Sequence, residues 1–177
     1  ERREVRPESA PLARLETQVG GRMLERLDYV KVAPRRVLDA GSGPPQRALG
    51  KRYAGADVLA LDFSLEMLRS ARSWLSFLNR NLSVCGDIER LPLGAGSVEL
   101  VWSNMALHWA ADPLAAFREF ERVLAPDGLL MFSTLGPDTL KELRAAAGAG
   151  REHAFHDMHL LGDMLVGEGT ESIGPRR

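Results

Sequence analysis

The chain has 177 residues, of which 45% are hydrophobic and 27% charged, and its formal net charge is −1. This composition is typical of one globular domain with an apolar core, and the near-neutral charge argues against a nucleic-acid or anionic-membrane surface. Cys85 is the only cysteine, so no intrachain disulfide can form, and no apolar run reaches the length of a transmembrane helix. Because a single cysteine and a charged N-terminus unlike a signal peptide suit a reducing compartment, the expected location is cytoplasmic.

The N-terminal part predicts a helix preceded by an arm. Residues 1–11 are charged and contain two prolines, so we expect them to form a mobile arm. From Leu12 to Tyr29, apolar residues recur at three- and four-residue steps with charges between them. This period predicts an amphipathic helix that covers one face of a sheet.

The segment from Arg36 to Pro45 reads RVLDAGSGPP and predicts a strand that turns sharply at glycines. A short apolar strand running into glycines is typical of the first strand of a parallel sheet, where the chain turns into a helix. Glycine permits unusual backbone dihedral angles and lets a ligand approach without a Cβ in the way. Gly-x-Gly also occurs in ordinary loops, so this segment alone identifies no ligand.

The rest of the chain alternates between predicted helices and strands. Further strands are predicted at four segments: Asp57–Leu61, Asn81–Cys85, Ser97–Ser103 and Leu129–Ser133. Helices are predicted between them, over Gln46–Tyr53, Ser64–Leu78 and Asp112–Val123, with a turn at Pro126–Gly128. Alternation at this pitch predicts parallel βαβ units, and therefore a single α/β domain over residues 1–177 with a Rossmann-like, doubly wound parallel sheet.

Polar residues stand at the ends of four of these strands, namely Asp39, Asp62, Asp87 and the Ser103-Asn104 pair. Open parallel sheets bind ligands at the edge where their strands end. A single aspartate after a strand is commonly a helix cap or a turn residue, but three in succession at one edge favour a binding site. Asp62 also lies 23 residues after Asp39, the range in which an acid on the second strand binds ribose hydroxyls.

Two nucleotide ligands fit this spacing, a nicotinamide dinucleotide and S-adenosylmethionine. The dinucleotide motif needs a third glycine, and Gln46 occupies that position here. A pyrophosphate would also be repelled by Asp39, whereas a ligand with an ammonium and a sulfonium but no phosphate suits an acid there. Charge therefore favours S-adenosylmethionine.

The chain resembles class I S-adenosylmethionine-dependent methyltransferases from about Leu24 to Leu165. VLDAGSGPP is similar to the family's first motif, LALDFSLEML to its ribose-binding second motif, CGDIERLPL to its third and VWSNMALHW to its fourth. The resemblance implies eight cofactor-binding residues: Asp39, Gly41, Gly43, Asp62, Phe63, Asp87, Ile88 and Asn104.

Carried over to this sequence, the resemblance implies a place for each part of the cofactor. Asp39 and the two glycines would line the methionyl part, and Asp62 would bind the ribose hydroxyls. The third motif would contact adenine, with Asp87 on the amino group and Ile88 against the ring, while Asn104 would lie near the transferred methyl group. One departure is Pro45, where many relatives have a third glycine; proline removes a backbone donor and stiffens the turn.

A closer resemblance involves SNMALHWAADPLAAFREFERVLAPDGLLMFSTLGPDTLKELR and the later HDMHLLGDML. These segments are similar to malonyl-acyl-carrier-protein O-methyltransferases of biotin synthesis, which implies a carboxylate substrate, small or held on acyl carrier protein. They also resemble mitochondrial complex I assembly factors, reported as arginine hydroxylases. A methyltransferase is therefore the first functional hypothesis, and a non-catalytic assembly relative or a hydroxylase-like relative the alternatives.

Histidines and an aromatic residue are the other candidates. His108 and Trp109 follow the fourth strand, where a substrate would enter, and His108 would bind or orient the substrate without acting as a base. His153, His156 and His159 lie at three-residue steps, a spacing that allows metal ligands on one helix face, but methyl transfer needs no metal and none is expected.

The C-terminal segment predicts no strand. Relatives of this class continue with two more strands after the fifth, whereas residues 166–177 read VGEGTESIGPRR, with three glycines and few strongly apolar residues. We therefore expect the C-terminal strands to be missing and this tail to be irregular. The edge of the fifth strand would then be uncovered or paired with another chain, which makes a homo-oligomer one expected arrangement.

Overall fold

The computed structural model describes residues 10–43, 47–70, 82–136, 138–139 and 161–163. Its helices are α1 (Ala10–Arg26), α2 (Arg47–Arg52), α3 (Leu65–Ser70) and α4 (Pro113–Val123), with short 3₁₀ helices at Leu27–Tyr29 and Leu107–Trp109. Its strands are β1 (Arg36–Ala40), β2 (Asp57–Asp62), β3 (Leu82–Cys85), β4 (Val98–Asn104) and β5 (Leu124–Ser133). Residues 1–9 of the predicted arm, the C-terminal tail, Pro45 and the three later histidines lie outside the described residues. Residues 10 and 11, which the sequence assigns to the arm, form the start of α1, so the helix begins two residues earlier than predicted.

The five strands form one parallel sheet in the order β3-β2-β1-β4-β5. β1 lies at its centre, where Leu38 is in register with Leu59 of β2 and with Val101 of β4. The chain runs outward from β1 through β2 to β3, and then returns to place β4 on the other side of β1. Strand order therefore reverses between β1 and β4, and their carboxyl ends flank the crevice in which such sheets bind ligands.

Each face of the sheet is covered by its own hydrophobic core, because neighbouring residues of a strand point to opposite faces. On the face of α4, the core includes Leu38, Leu61, Val101, Phe117 and Phe120. On the face of α1, it includes Met23, Leu27, Val37, Val58 and Trp102. The predicted role of α1 as cover for one face is therefore confirmed.

Side chains fix the starts of two helices as the sequence predicts. The Asp112 carboxylate accepts hydrogen bonds from the backbone N–H groups of Leu114 and Ala115, and a proline follows it at the first position of α4. Ser64 Oγ accepts from Met67 N at 3.3 Å and caps α3. The part of the third predicted helix after residue 70 lies outside the described residues.

The fifth strand begins five residues earlier than the sequence predicts. Leu124 pairs with Val98, and the register then shifts, so that Leu129 pairs with Leu100. The four intervening residues of β5 bulge, and Asp127 takes a positive φ of 62° within them. The expected turn at Pro126–Gly128 is therefore an irregularity inside the strand. Within the described part of the chain, no helix combines the length and apolar character needed to cross a membrane.

Candidate methyl-donor site

The carboxyl ends of β1, β2, β4 and β5 bring four polar residues to the sheet face that α1 covers. The alternation that directs Val37, Val58 and Trp102 into the core under α1 continues to the strand ends. The residues that reach this face are Asp39, Asp62, Asn104 and Ser133. Three of them are residues that the sequence singles out.

The glycine turn, residues 41–43, follows β1 in the chain and is joined to the end of β2 by hydrogen bonds. Gly41 and Gly43 have φ values of 71° and 56°, a region that residues with a Cβ rarely adopt. The N–H groups of Gly41 and Ser42 both donate to the carbonyl of Leu61, at 2.8 and 2.9 Å. A Cβ on Gly41 would also collide with the Cβ of Ala106, so this position accepts only glycine without a rearrangement.

Asp62 organises the backbone around the crevice. Its Oδ2 accepts from Gly43 N at 2.8 Å, and its Oδ1 accepts from Ser64 N at 2.7 Å. Each carboxylate oxygen has room for a second hydrogen bond, so both oxygens keep capacity for hydroxyl donors. The sequence assigns Asp62 to ribose, and this geometry is compatible with that role.

Asp39 is the most deeply buried acid at this edge of the sheet, with 4% of its surface exposed. Burial, and to a lesser extent the negative charge of Asp62, raise the pKa of its carboxyl to about 7. None of the described residues donates a hydrogen bond to this carboxyl. A buried carboxyl that lacks a donor is a costly arrangement, and an approaching cation would stabilise its ionised form.

Helix α1 is fastened over the same crevice through Asn104. The Asn104 Nδ2 donates to the backbone carbonyl of Glu16 at 2.9 Å, and its Oδ1 accepts from Ser133 Oγ at 2.9 Å. Ser133 Oγ in turn accepts from Met105 N at 3.0 Å. The Asn104 Nδ2 therefore joins α1 to the end of β4, while its Oδ1 is held by Ser133 of the neighbouring β5.

Glu16 is a site residue that the sequence reasoning missed. Its side chain is half-buried, and burial together with the nearby charge of Asp62 raises its pKa. The sequence contained a signal for this residue, because Glu16 continues the spacing of the apolar residues of the helix. It lies four residues after Leu12 and three before Val19, and Met23 follows four residues later. An acid in the apolar stripe of a covering helix indicates a polar surface beneath it.

The residues assigned to adenine lie at the ends of β2 and β3. Phe63 is 81% exposed, and Asp87 is exposed with its Oδ1 accepting from Glu89 N at 2.9 Å. Ile88 is half-buried and packs against the core on the α4 face. An exposed aromatic ring next to a polar acceptor suits an aromatic base, which needs one flat contact and one hydrogen bond.

Side chains of α4 hold the loop over residues 87–93 in place. Glu119 accepts from Leu91 N at 2.7 Å, and Arg122 donates to the carbonyls of Leu91 and Leu93 at 3.1 and 2.8 Å. Glu119 and Arg122 also form an ion pair at 2.7 Å. The loop that carries the adenine residues is therefore attached to the helix that follows β4.

His108 and Trp109 lie in the short 3₁₀ helix after β4. Their ring centroids are 5.1 Å apart, and Trp109 is 60% exposed. The adjacent Ala111 N donates to Glu89 Oε1, which joins this segment to the loop over residues 87–93. An accessible ring at this position can contact an acceptor substrate. In the described ranges, no cluster of three or more His, Cys, Asp or Glu side chains is arranged to hold a metal ion.

Comparison with known proteins places this site in a family. A relative from Methylovorus sp. (strain MP688), named malonyl-[acyl-carrier protein] O-methyltransferase, is 53% identical over 169 residues, or 89% of this chain. A relative of the same name from Gallionella capsiferriformans (strain ES-2) is 49% identical over 88% of the chain. The chain spans 57% and 58% of the lengths of these two proteins, less than two thirds of each.

A solved structure supports the same fold. A SAM dependent methyltransferase from Aquifex aeolicus superposes with a TM-score of 0.65, covers 87% of each chain and is 19% identical. The family model described as methyltransferase domain matches residues 38–132, which run from β1 to β5 and so include the glycine turn and Asp62. The chain belongs to the methyltransferase domain family, with a Rossmann-like parallel sheet.

Proposed function

We propose that the chain binds S-adenosylmethionine at the carboxyl edge of its sheet and transfers the methyl group to a carboxylate. The observation that carries this proposal is the buried carboxyl of Asp39 beside the glycine turn, to which none of the residues in the described ranges donates a hydrogen bond. That position suits a cation and opposes a pyrophosphate, which separates this ligand from a dinucleotide. The names of the relatives from Methylovorus and Gallionella support the same reaction class.

The residues at this edge fit the parts of the cofactor. Asp39, Gly41 and Gly43 would hold the methionyl part, and Asp62 the ribose, since its oxygens keep capacity for hydroxyl donors. Adenine would lie between Phe63 and Asp87, with Ile88 beneath. When bound, S-adenosylmethionine supplies an electrophilic methyl group on a sulfonium.

The chain's own contribution would be positioning and exclusion of water. A carboxylate acceptor is already ionised at neutral pH, so no general base is required. Helix α1, fastened by Asn104, would close one side of the crevice, and His108 and Trp109 would orient the acceptor at the end of β4. In-line displacement depends mainly on such alignment.

For the acceptor, we propose malonyl-acyl carrier protein, by similarity to the relatives' names, and therefore a role in biotin synthesis. A cytoplasmic location follows as a proposal from the single cysteine.

Two measurements test the function. Calorimetric titration with S-adenosylhomocysteine should show one-to-one binding, whereas NADH should show none; NADH binding or absence of both would refute the cofactor assignment. Methyl transfer from labelled S-adenosylmethionine to malonyl-acyl carrier protein should exceed transfer to the acetyl form, which has no free carboxylate. Cofactor binding with no transfer to the malonyl form would refute the acceptor and favour a non-catalytic assembly role.

A further inference from the structure

Three carboxylates from three different elements lie at the sheet edge that α1 covers. They are Glu16 of α1, Asp39 of β1 and Asp62 of β2, called here the carboxylate trio. Burial, and after it the negative charge of Asp62, raises the pKa of both Glu16 and Asp39. Asp39 is nine-tenths or more buried, and it lies on the sheet face that α1 covers.

No cation within the described ranges neutralises the trio. Three ion pairs join described residues to one another, Arg36–Glu99, Arg52–Asp28 and Arg122–Glu119, and none of these three includes a member of the trio. Within the part of the chain that the structure describes, the hydrogen bonds to Asp62 come from two backbone N–H groups, which carry no net charge. Like charges brought together and partly removed from water destabilise the fold unless a cation joins them.

The location of Glu16 determines which part of a bound ligand would lie nearest to its carboxylate. Its backbone carbonyl accepts a hydrogen bond from Asn104 at the end of β4. After burial, the charge of Asp62 at the end of β2 is the second cause of the raised pKa of its carboxyl. In the proposed site, Asp62 holds the ribose and Asp39 the methionyl part. The sulfur of S-adenosylmethionine joins the ribose to the methionyl part, so the sulfonium would lie between these two residues, on the sheet face that α1 and its Glu16 cover.

We propose that Glu16 recognises the positive charge of the sulfonium and makes the site prefer S-adenosylmethionine to the neutral thioether product. This inference rests on the proposed function, to which it adds a specificity residue on α1. Transfer of the methyl group removes the charge that Glu16 stabilises. The repulsion within the trio then returns and favours release of S-adenosylhomocysteine.

The test compares dissociation constants of both ligands for the wild type and for Glu16→Gln, which keeps the shape of the side chain and removes its charge. Glu25→Gln on the exposed side of the same helix is the matched control. We expect Glu16→Gln to weaken S-adenosylmethionine about tenfold and S-adenosylhomocysteine less than about twofold, as for loss of one charge contact. Glu25→Gln should change neither, and Glu16→Asp, which keeps the charge, should retain a preference for the sulfonium.

Thermal unfolding without ligand supplies an independent readout. Glu16→Gln should melt at the same or a higher temperature than the wild type, since it removes repulsion from Asp62. Equal weakening of both ligands, no weakening of either, or a lower melting temperature of the ligand-free variant would overturn the role of Glu16. If the wild type binds neither ligand, the proposed function itself fails, which is a distinct result.

Discussion

Replacing Asp39 by Asn should stabilise the ligand-free protein while removing its affinity for the cationic ligand. Burial and the charge of Asp62 raise the pKa of Asp39 from 3.8 to about 7, so the folded state holds a proton that the unfolded state has lost between these values. The free energy that Asp39 contributes to the stability of the fold is therefore highest below about pH 4. It falls as pH rises and reaches a constant, lower value above about pH 7. Integrating that shift gives a penalty of about 2 kcal/mol at about pH 5 and about 4 kcal/mol at about pH 8.

Urea denaturation of the ligand-free wild type and Asp39→Asn at these two pH values measures the penalty. The stability advantage of Asp39→Asn should grow by about 2 kcal/mol between about pH 5 and about pH 8. Asp127→Asn is the control, because Asp127 is exposed and its positive φ is one that asparagine also adopts. An advantage that stays constant or shrinks with rising pH would refute the assignment of a buried, donor-free carboxyl.

Ionisation of Asp39 should have the opposite effect on ligand binding, because it lowers the stability of the ligand-free protein but raises the affinity for a cation. Affinity of the wild type for S-adenosylmethionine should rise as pH increases through about 7, because the ionised form of Asp39 is the one that stabilises a cation. Glu16 and Asp62 are the other titratable groups of the trio, and the raised pKa of Glu16 adds to the slope in the same direction. Asp39→Asn should bind weakly and with a flatter pH profile by calorimetry; a profile as steep as that of the wild type would contradict this role.

Three other substitutions test separate parts of the site. Asp62→Ala should weaken S-adenosylhomocysteine by about 1–3 kcal/mol in calorimetry, the scale of a lost charged hydrogen bond, and unchanged affinity would refute the ribose assignment. Gly41→Ala should lower the free energy of unfolding by about 2–4 kcal/mol, because of the positive φ and the collision of its Cβ, whereas Gly21→Ala, which meets no atom within 4 Å, should not lower it. Arg122→Met should cost about 1–2 kcal/mol in urea denaturation by leaving two carbonyls of the loop over residues 87–93 without their donor; no loss would show that the loop is held by other contacts.

The central strands β1 and β4 were predictable because they are buried on both faces. VLDA in β1 and VELVW in β4 are short runs of β-forming residues, which a parallel sheet covered by helices requires. The helix starts were predictable as well, since Asp112 and Ser64 carry their capping signal in the local sequence. These features depend on residues that are near one another in the chain.

Features that depend on residues far apart in the chain could not be predicted from the sequence. Leu124 joins β5 only because Val98 of β4 lies beside it, and the intervening Pro126–Gly128 reads locally as a turn. Asn104 bonds to a carbonyl 88 residues earlier, so its fastening role depends on where α1 docks. The sequence assigned this asparagine to the transferred methyl group alone. The position of Glu16 in the apolar stripe of α1 indicated a polar surface beneath the helix, but not which strand ends that surface contains.

The trio explains why a helix, and not only the strand ends, belongs to this site. The aspartates of β1 and β2 are on neighbouring parallel strands, and Asp39 is in register with Ala60, two residues before Asp62. Their proximity follows from the sheet, but Glu16 reaches them only because Asn104 and Ser133 hold α1 across the crevice. The hydrogen bonds that fasten the helix therefore maintain the electrostatic repulsion between Glu16 and Asp62, and such repulsion persists in a fold when the surrounding structure overrides it. A bound cation turns that repulsion into attraction, so the arrangement that costs stability in the empty protein is the one that gives the site its preference for a charged ligand.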